Sequence, residues 1–194
     1  MNIPHTTLLA TFEFLKMDRL NLLGRGVTAS TFLAKTSDGK KRVVRVQVLD
    51  VSERDIYKRV SDEYKTRHTY ISSIMPKRVP RLYDVRLIPS KRGNRYLAIA
   101  YVMSWVDGLV LSKKNTLSPK ERTDLRLLLK TLWSNKMSHG DLILDNVMYD
   151  RKEMRWFLID LDMLKMHNTK QRAVERDLIT MDPILKDILT SRSR

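Results

Sequence analysis

The sequence has no cysteine among its 194 residues, so disulfides, zinc fingers and thiol catalysis are all excluded. It also lacks a long apolar segment, because the longest apolar run, Tyr96 to Met103, is far shorter than the ~20 residues of a membrane span. The first residues, MNIPHTTLLATFEF, contain neither a basic leader nor a long apolar core. We therefore expect a soluble protein without a signal peptide or transmembrane segment, located in the cytoplasm or delivered into a host cell.

Acidic residues are in deficit. The chain has 22 Asp and Glu against 37 Lys and Arg, and its formal net charge of +15 is spread along the sequence. A field of that sign attracts polyanions such as ATP, nucleic acid, acidic lipid or an acidic protein surface, and it does not choose among them. A solvated basic surface without a specific partner explains the charge equally well. Apolar residues make up 42% of the chain, which is enough for one compact globular core.

The first half of the sequence predicts five strands and one helix. Three strand-like runs lie between Leu20 and Leu49, and Asp38 followed by Gly39 is a strong hairpin signal between the second and the third. Helical spacing of apolar residues then extends from Ser52 to about Ile74. Two further strands are predicted at residues 81–88 and 95–102, joined by the turn-like segment PSKRGN at residues 89–94. These elements predict an antiparallel sheet with one helix.

The second half predicts mainly helices around two short strands. Ser118 and Glu121 form a capping box with Pro119 at the first helical position, and an apolar stripe of leucines follows. Short strands are predicted near residues 146–149 and 156–159. Helices are predicted near residues 170–181 and from residue 182 onward. The predicted fold class is therefore α+β.

The segment SHGDLILDNVMYD, followed by FLIDLDM, contains the most informative side chains. Asn146 comes five residues after Asp141, and Asp160 stands at the end of the next apolar strand. Magnesium binds a few carboxylate or amide oxygens together with phosphate oxygens, which Asn146 and Asp160 would supply. Asp141 would accept or orient the proton of a substrate hydroxyl. The three side chains are therefore expected to meet and to serve phosphoryl transfer.

HGDLILDNVMYD resembles the catalytic loop of protein-kinase-like enzymes, and FLIDLDM resembles their metal-binding DFG motif. His139, Asp141 and Asn146 keep the spacing of that family, whereas Gly140 replaces the usual arginine. This replacement is common in atypical and small-molecule branches, including aminoglycoside phosphotransferases, lipopolysaccharide-core sugar kinases and the kinase subunit of the KEOPS complex. The resemblance implies a two-lobed kinase-like fold. Its five-stranded antiparallel N-lobe with one helix would span residues 1–103, and a truncated, mainly helical C-lobe would span residues 104–194.

The resemblance also assigns a nucleotide site. LNLLGRGVTA is similar to the glycine-rich loop of kinases, and AYVMSWVDG is similar to their hinge, with Met103 as gatekeeper and backbone groups near Trp105 and Val106 available to adenine. The implied cofactors are ATP and Mg²⁺ or Mn²⁺. The residues assigned to the nucleotide are Gly24, Gly26, Thr31, Arg45, Gln47, Met103, Trp105 and Val106.

The third strand departs from the family pattern. Alignment of VRVQVL with the family's VAIK-type strand places Gln47 at the position of the ATP-binding lysine. Arg45 lies two residues earlier and so points to the same face of the strand. In the helix predicted over residues 52–74, Glu63 falls on the otherwise apolar face, where a carboxylate needs a buried partner. Arg45 would reach the phosphates and pair with Glu63, although arginine and lysine are not interchangeable at such sites.

The resemblance therefore assigns catalysis to Asp141, Asn146, Arg45 and Glu63, and metal binding to Asn146 and Asp160. Three functions stay open. The first, preferred because the hinge and N-lobe look most like protein kinases, is a minimal serine/threonine kinase with a protein substrate, as in bacterial effector kinases. The second is a small-molecule or lipopolysaccharide-core sugar kinase, favoured by Gly140, Ile143 and Asp162. The third is a pseudokinase that binds an acidic partner or nucleic acid, favoured by Gln47 and the net charge.

Overall fold

The computed structural model describes residues 3–26, 29–49, 54–90 and 96–190. Most of the predicted turn at residues 89–94, and Ser52 at the start of the helix predicted over residues 52–74, lie outside the described residues. The fold is α+β, as predicted, and divides into two compact units. The first unit is Met1–Thr69 with Arg81–Trp105, and the second is Tyr70–Pro80 with Val106–Arg194. None of the helices within the described ranges is long and apolar enough to cross a membrane.

The first unit contains a five-stranded antiparallel sheet, which confirms the five predicted strands. The strands are β1 (Met17–Arg25), β2 (Ala29–Thr36), β3 (Lys41–Val48), β4 (Leu82–Pro89) and β5 (Tyr96–Ser104). Their order across the sheet is β1-β2-β3-β5-β4. The predicted hairpin turn joins β2 to β3, where Gly39 has a φ of +83° and donates its N–H to the Thr36 carbonyl at 2.8 Å. Glycine adopts this left-handed conformation without the steric cost of a Cβ.

Two helices pack against this sheet, α1 (His5–Leu15) and α2 (Arg54–Ile74). Alternate residues of a strand point to opposite faces, so Ala100 packs with Phe12 of α1, while Tyr101 packs with Tyr64 of α2. The sheet therefore lies between the two helices. The sequence predicted α2 but not α1, so the expectation of a single helix in this region is wrong. The α1 segment lacks a side-chain cap and contains three threonines, which weaken the helical signal.

The second unit combines three helices with two small antiparallel sheets. The helices are α3 (Pro119–Ser134), α4 (Lys170–Thr180) and α5 (Pro183–Thr190). One sheet contains β6 (Gly108–Val110), β8 (Val147–Asp150) and β9 (Arg155–Leu158), and the other pairs β7 (Met137–Ser138) with β10 (Lys165–Met166). The predicted helices, and the predicted strands at β8 and β9, are confirmed. The strands β6, β7 and β10 are only two or three residues long, too short for a periodic pattern.

The capping box predicted for α3 is present. The Ser118 hydroxyl accepts the Glu121 N–H at 3.2 Å, and the Ser118 N–H donates to the Glu121 carboxylate at 2.9 Å. Lys114 binds the other carboxylate oxygen of Glu121. Behind this N-terminus, the leucine stripe of α3 is fully buried against the wall formed by Trp156 and Leu158 of β9.

An ion pair joins α3 to the segment before β4. Both oxygens of Asp124 accept hydrogen bonds from the Arg78 guanidinium at 2.7 Å, and one also accepts the Trp156 N–H at 2.9 Å. Burial would by itself raise the pKa of Asp124, but these hydrogen bonds outweigh it and hold the pKa below its ordinary value. Only about a fifth of either side chain is exposed, so solvent screens the pair less than a surface one.

We expect Asp124→Asn to lower the free energy of unfolding at pH 7 by about 1–3 kcal/mol, because a charged acceptor is lost. Since the pKa is lower in the folded state, the contribution of Asp124 is complete at neutral pH. It is lost as the pH falls through about 4 towards the folded-state value. Urea denaturation at a series of pH values should therefore show a smaller acid-dependent loss in Asp124→Asn than in the wild type. Exposed Asp187 of α5 provides the matched control, and equal effects of Asp124→Asn and Asp187→Asn would contradict this account.

Candidate functional site

The loop between β7 and β8 brings Asp141 and Asn146 together. The Asn146 side chain is buried, and its Nδ2 donates to both the backbone carbonyl and the Oδ2 of Asp141, each at 2.9 Å. A 3₁₀ turn over Leu144–Asn146 supplies the local geometry that folds the amide back onto the aspartate. The structure therefore joins two of the predicted site residues directly, and it orients the Asp141 carboxylate through the Asn146 amide.

Ile159, the residue before Asp160, is hydrogen-bonded to this loop through both its N–H and its carbonyl group. The Ile159 N–H donates to the Asn146 carbonyl at 3.0 Å, and the Ile159 carbonyl accepts from Nε2 of His139 at 2.9 Å. Because a carbonyl can only accept, Nε2 must carry the proton of the buried imidazole. These two bonds place the backbone that leads into Asp160 beside the loop of Asp141 and Asn146.

Asp160 itself has a left-handed backbone, with φ +56° and ψ +68°. This region is uncommon for residues other than glycine, although Asp and Asn visit it more often than most. Such conformations cost about 1–3 kcal/mol and cluster at functional sites, where the surrounding structure enforces them. The Asp160 residue is exposed.

A buried carboxylate that sequence reasoning missed holds the first part of the loop. Asp177 of α4 is fully buried and accepts three hydrogen bonds, from the Trp133 indole at 2.8 Å, the His139 N–H at 3.1 Å and the Gly140 N–H at 2.8 Å. The only sequence signal was its position four residues after Ala173, which places both on one face of the helix. Asp177 thus gives partners to loop amides that water does not reach.

Gly140 is required by close packing. Its φ is +80°, and a Cβ added there would lie 2.5 Å from the Met163 carbonyl oxygen and 3.1 Å from the Met163 Cβ. Contacts under 3.0 Å force something to shift, and here the obstacle is backbone. A larger side chain such as arginine therefore cannot be accommodated at position 140 in this backbone arrangement.

In the first unit, three predicted nucleotide residues form a row across neighbouring strands. Gly24 of β1 pairs with Thr31 of β2, and Thr31 pairs with Arg45 of β3. The Arg45 guanidinium lies 5.9 Å from the ring centroid of Tyr101, which is the next residue along the row. A Cβ added to Gly24 would meet no atom within 4 Å, so close packing does not require a glycine at this position.

Gly26 and Gln47 already make contacts of their own. The Gly26 N–H donates to the Ala29 carbonyl at 2.8 Å and closes the connection from β1 to β2. Gln47 accepts a hydrogen bond from the Tyr101 hydroxyl at 3.4 Å. Residues 27 and 28 of the predicted glycine-bearing turn lie outside the described residues.

Glu63 does not lie where the sequence placed it. Its side chain is 60% exposed, and its carboxylate is 4.0 Å from the Arg59 guanidinium one turn earlier on α2. Tyr64 and His68 form the buried face instead, one helical position further round. The expectation that Glu63 lies on the apolar face with a buried partner is therefore wrong. The spacing of three residues from Val60 suggested that Glu63 shares the apolar face of α2. In the structure Tyr64, the next residue, lies on the buried face instead.

The predicted hinge residues follow one another at the end of β5. The Met103 sulfur accepts a hydrogen bond from the Tyr64 hydroxyl at 3.8 Å, and both residues belong to the first unit. Trp105 is the last residue of the first unit, and buried Val106 is the first residue of the longer segment of the second unit. Within the described ranges, the buried Trp105 indole N–H has no hydrogen-bond partner.

The donors at positions 146 and 160 suit magnesium by their chemistry. Among the described residues, no three His, Cys, Asp or Glu side chains are grouped so that they would hold a metal by themselves. Magnesium usually takes one or two carboxylates and completes its shell with water and substrate phosphates. An amide oxygen and a carboxylate therefore fit a metal that arrives together with a nucleotide.

The chain matches no protein-family model, and no curated protein matches it. The likeness to protein-kinase-like enzymes therefore depends on the sequence motifs alone.

We expect Gly140→Ala to lower the free energy of unfolding by about 1–3 kcal/mol, because the added methyl group meets the Met163 backbone at a positive φ. Gly24→Ala is the matched control, since the methyl group enters open space and the φ of Gly24 is not positive. That control should be neutral or slightly stabilising. Urea denaturation measures both variants. If Gly140→Ala were as stable as Gly24→Ala, the close packing of the loop would be refuted.

Proposed function

We propose that the protein is an ATP-dependent phosphotransferase with a kinase-like, two-lobed fold, and that it transfers the γ-phosphate of ATP to a hydroxyl group. The proposal depends on one observation, the hydrogen bonding that links these segments. The Asp141 carboxylate is hydrogen-bonded to Asn146, and the chain that leads into left-handed Asp160 is bonded to Asn146 and His139. A general base, an amide ligand and a carboxylate ligand are the groups that phosphoryl transfer needs.

Each of these side chains has a defined task under this proposal. Asn146 uses its Nδ2 on Asp141, which leaves the amide oxygen to face a metal together with the Asp160 carboxylate. Asp141, oriented by Asn146, would accept or align the proton of the substrate hydroxyl. A magnesium or manganese ion bound there would neutralise charge on the phosphates. Since the chemistry depends on positioning, the hydrogen bonds of the loop matter as much as the ligands.

The first unit would supply the nucleotide contacts. Gly24, Thr31 and Arg45 share one row of the sheet, and the Arg45 guanidinium keeps its charge at all relevant pH values. Gln47 lies two residues further along the same face of β3. Backbone groups at Trp105 and Val106 would receive adenine, with Met103 at the gatekeeper position. These assignments depend on the resemblance to kinases.

The acceptor we favour is a serine or threonine hydroxyl of a protein substrate. Gly140 had favoured the sugar-kinase alternative, but the contact with Met163 explains this glycine by packing. It no longer favours a small-molecule acceptor by itself. The basic surface would attract ATP and an acidic protein substrate alike.

A pseudokinase that binds an acidic partner or nucleic acid is the second candidate, and two observations favour it. Gln47, at the position of the ATP-binding lysine, is hydrogen-bonded to Tyr101. Glu63, the predicted partner of the substituted base, is exposed and pairs with Arg59. Protein kinases need a lysine–glutamate ion pair in place for phosphoryl transfer, so the lack of such a pair would favour a binding function.

The proposal predicts that the purified chain transfers labelled phosphate from ATP in the presence of Mg²⁺. Asp141→Asn should lower the rate by about 10²–10⁴-fold, because the proton acceptor is lost. Asp160→Asn should lower it by at least about 100-fold through loss of a metal ligand. The assay uses casein and myelin basic protein as general acceptors, and a sugar panel as the alternative.

Asp145→Asn is the matched control, since Asp145 lies in the same loop but is exposed and accepts a hydrogen bond from Ser112. Its rate should stay within about twofold of the wild type. Thermal unfolding of every variant shows whether it folds. Transfer to sugars alone would support the sugar-kinase alternative. Wild-type protein that folds but neither binds nor uses Mg-ATP would refute the enzyme and support the pseudokinase.

A further inference from the structure

Tyr101 of β5 contacts both side chains that the sequence offered in place of the ATP-binding lysine. Its ring centroid lies 5.9 Å from the guanidinium of Arg45, the residue directly opposite on β3. A cation within about 6 Å of a ring centroid is attracted to the ring. The Tyr101 hydroxyl donates to Oε1 of Gln47 at 3.4 Å, along the diagonal to the neighbouring pair on the same face.

The position of the Tyr101 ring is fixed by packing against α2. Only 2% of the residue is exposed, and its ring centroid lies 4.4 Å from that of Tyr64. Buried aromatic pairs of this kind add to the stability that their buried area provides. The Tyr64 hydroxyl is in turn hydrogen-bonded to the sulfur of Met103. The Tyr101 hydroxyl therefore reaches β3 from a fixed position in the core of the first unit.

The hydrogen bond from Tyr101 decides how the Gln47 amide is oriented. A glutamine amide has an oxygen that accepts and an Nε2 group with two N–H donors. Because the Tyr101 hydroxyl is bonded to the oxygen, the Nε2 donors point elsewhere, and Gln47 is half-buried rather than enclosed. Phosphate oxygens accept hydrogen bonds, so this orientation suits the phosphates of a nucleotide. The flipped amide would instead turn an oxygen towards them.

We propose that Tyr101 is a positioning residue for the nucleotide and that it acts through Gln47. Its hydroxyl holds the Gln47 amide so that Nε2 donates to a phosphate oxygen of ATP. A neutral donor binds phosphate more weakly than a charged lysine does, and Arg45 on the same face supplies the positive charge. The inference rests on the proposed function, because it concerns the nucleotide of that function. The bond between Gln47 and Tyr101 then serves ATP binding and does not by itself indicate a pseudokinase.

Calorimetric titration of the full chain with Mg-ATP tests the proposal through two substitutions and their combination. Tyr101→Phe keeps the buried ring but removes the hydroxyl, so it should weaken ATP binding about two- to tenfold. Gln47→Met keeps the length of the side chain without its amide and should weaken binding at least as much. The double variant should bind like Gln47→Met, because the hydroxyl acts through the amide. A purely structural role of Tyr101 would weaken binding in both backgrounds.

A spectroscopic measurement on the wild-type chain tests the same contact without any substitution. The glutamines of the chain are Gln47 and Gln171, so isotope labelling of glutamine side-chain amides gives one pair of NMR signals for each. Saturating Mg-ATP should move the Gln47 pair by more than its linewidth, because its N–H groups gain a phosphate acceptor. Gln171 is the internal control, since its Nε2 donates to Glu175 on α4, and its signals should stay in place.

Tyr83→Phe is the matched control for the loss of a hydroxyl, because Tyr83 is an exposed tyrosine of the same sheet. It should bind ATP like the wild type. Wild-type protein that folds but does not bind Mg-ATP would refute the proposed function and this inference with it. If the wild type binds Mg-ATP, the inference alone is overturned by any of three results. These are wild-type affinity in folded Tyr101→Phe, a further loss when Tyr101→Phe is added to Gln47→Met, and Gln47 signals that do not move.

Discussion

Asp177 is the residue on which the geometry of the candidate site depends. Its fully buried carboxylate accepts the N–H groups of His139 and Gly140 and the indole of Trp133, so α4, α3 and the loop after β7 are held by one side chain. Leaving a buried donor without an acceptor costs about 1–3 kcal/mol per group, and three such donors meet here. In the observed arrangement all three donors have an acceptor, and the Nε2 of His139 is hydrogen-bonded to the Ile159 carbonyl.

The same constraint extends from the loop to the side chains that we propose as metal ligands. Ile159 is held between His139 and Asn146, and Asp160 leaves it with a left-handed backbone that the protein maintains at a cost. On the other side, Gly140 packs so closely on Met163 that no side chain fits between them. Hydrogen bonding and packing thus agree. Both hold the segment of Asp141 and the segment of Asp160 against each other, and the proposed phosphoryl transfer would depend on such preorganisation.

Local signals in the sequence predicted local structure well. The capping box at Ser118, the Asp-Gly turn before β3 and the five strands were predicted, because each depends on residues within a few positions. The contact of Asp141 with Asn146 follows from their shared loop. The rest depends on tertiary structure. Asp177 contacts the loop although it lies 37 residues further along the chain. The apolar pattern of α2 did not define which face of the helix is buried closely enough to place Glu63. Helix α1 lacks a side-chain cap at its N-terminus and is packed against the sheet through Phe12.

The central claim is that the protein holds a nucleotide through a divalent cation on Asp160 and Asn146. Calorimetric titration of ATP into the wild-type chain, with Mg²⁺ and then with EDTA, tests it most directly. The account predicts that Mg²⁺ tightens ATP binding at least about tenfold, and that Asp160→Asn removes this gain while Asp145→Asn keeps it. An equal gain from Mg²⁺ in the wild type and in folded Asp160→Asn would contradict the account.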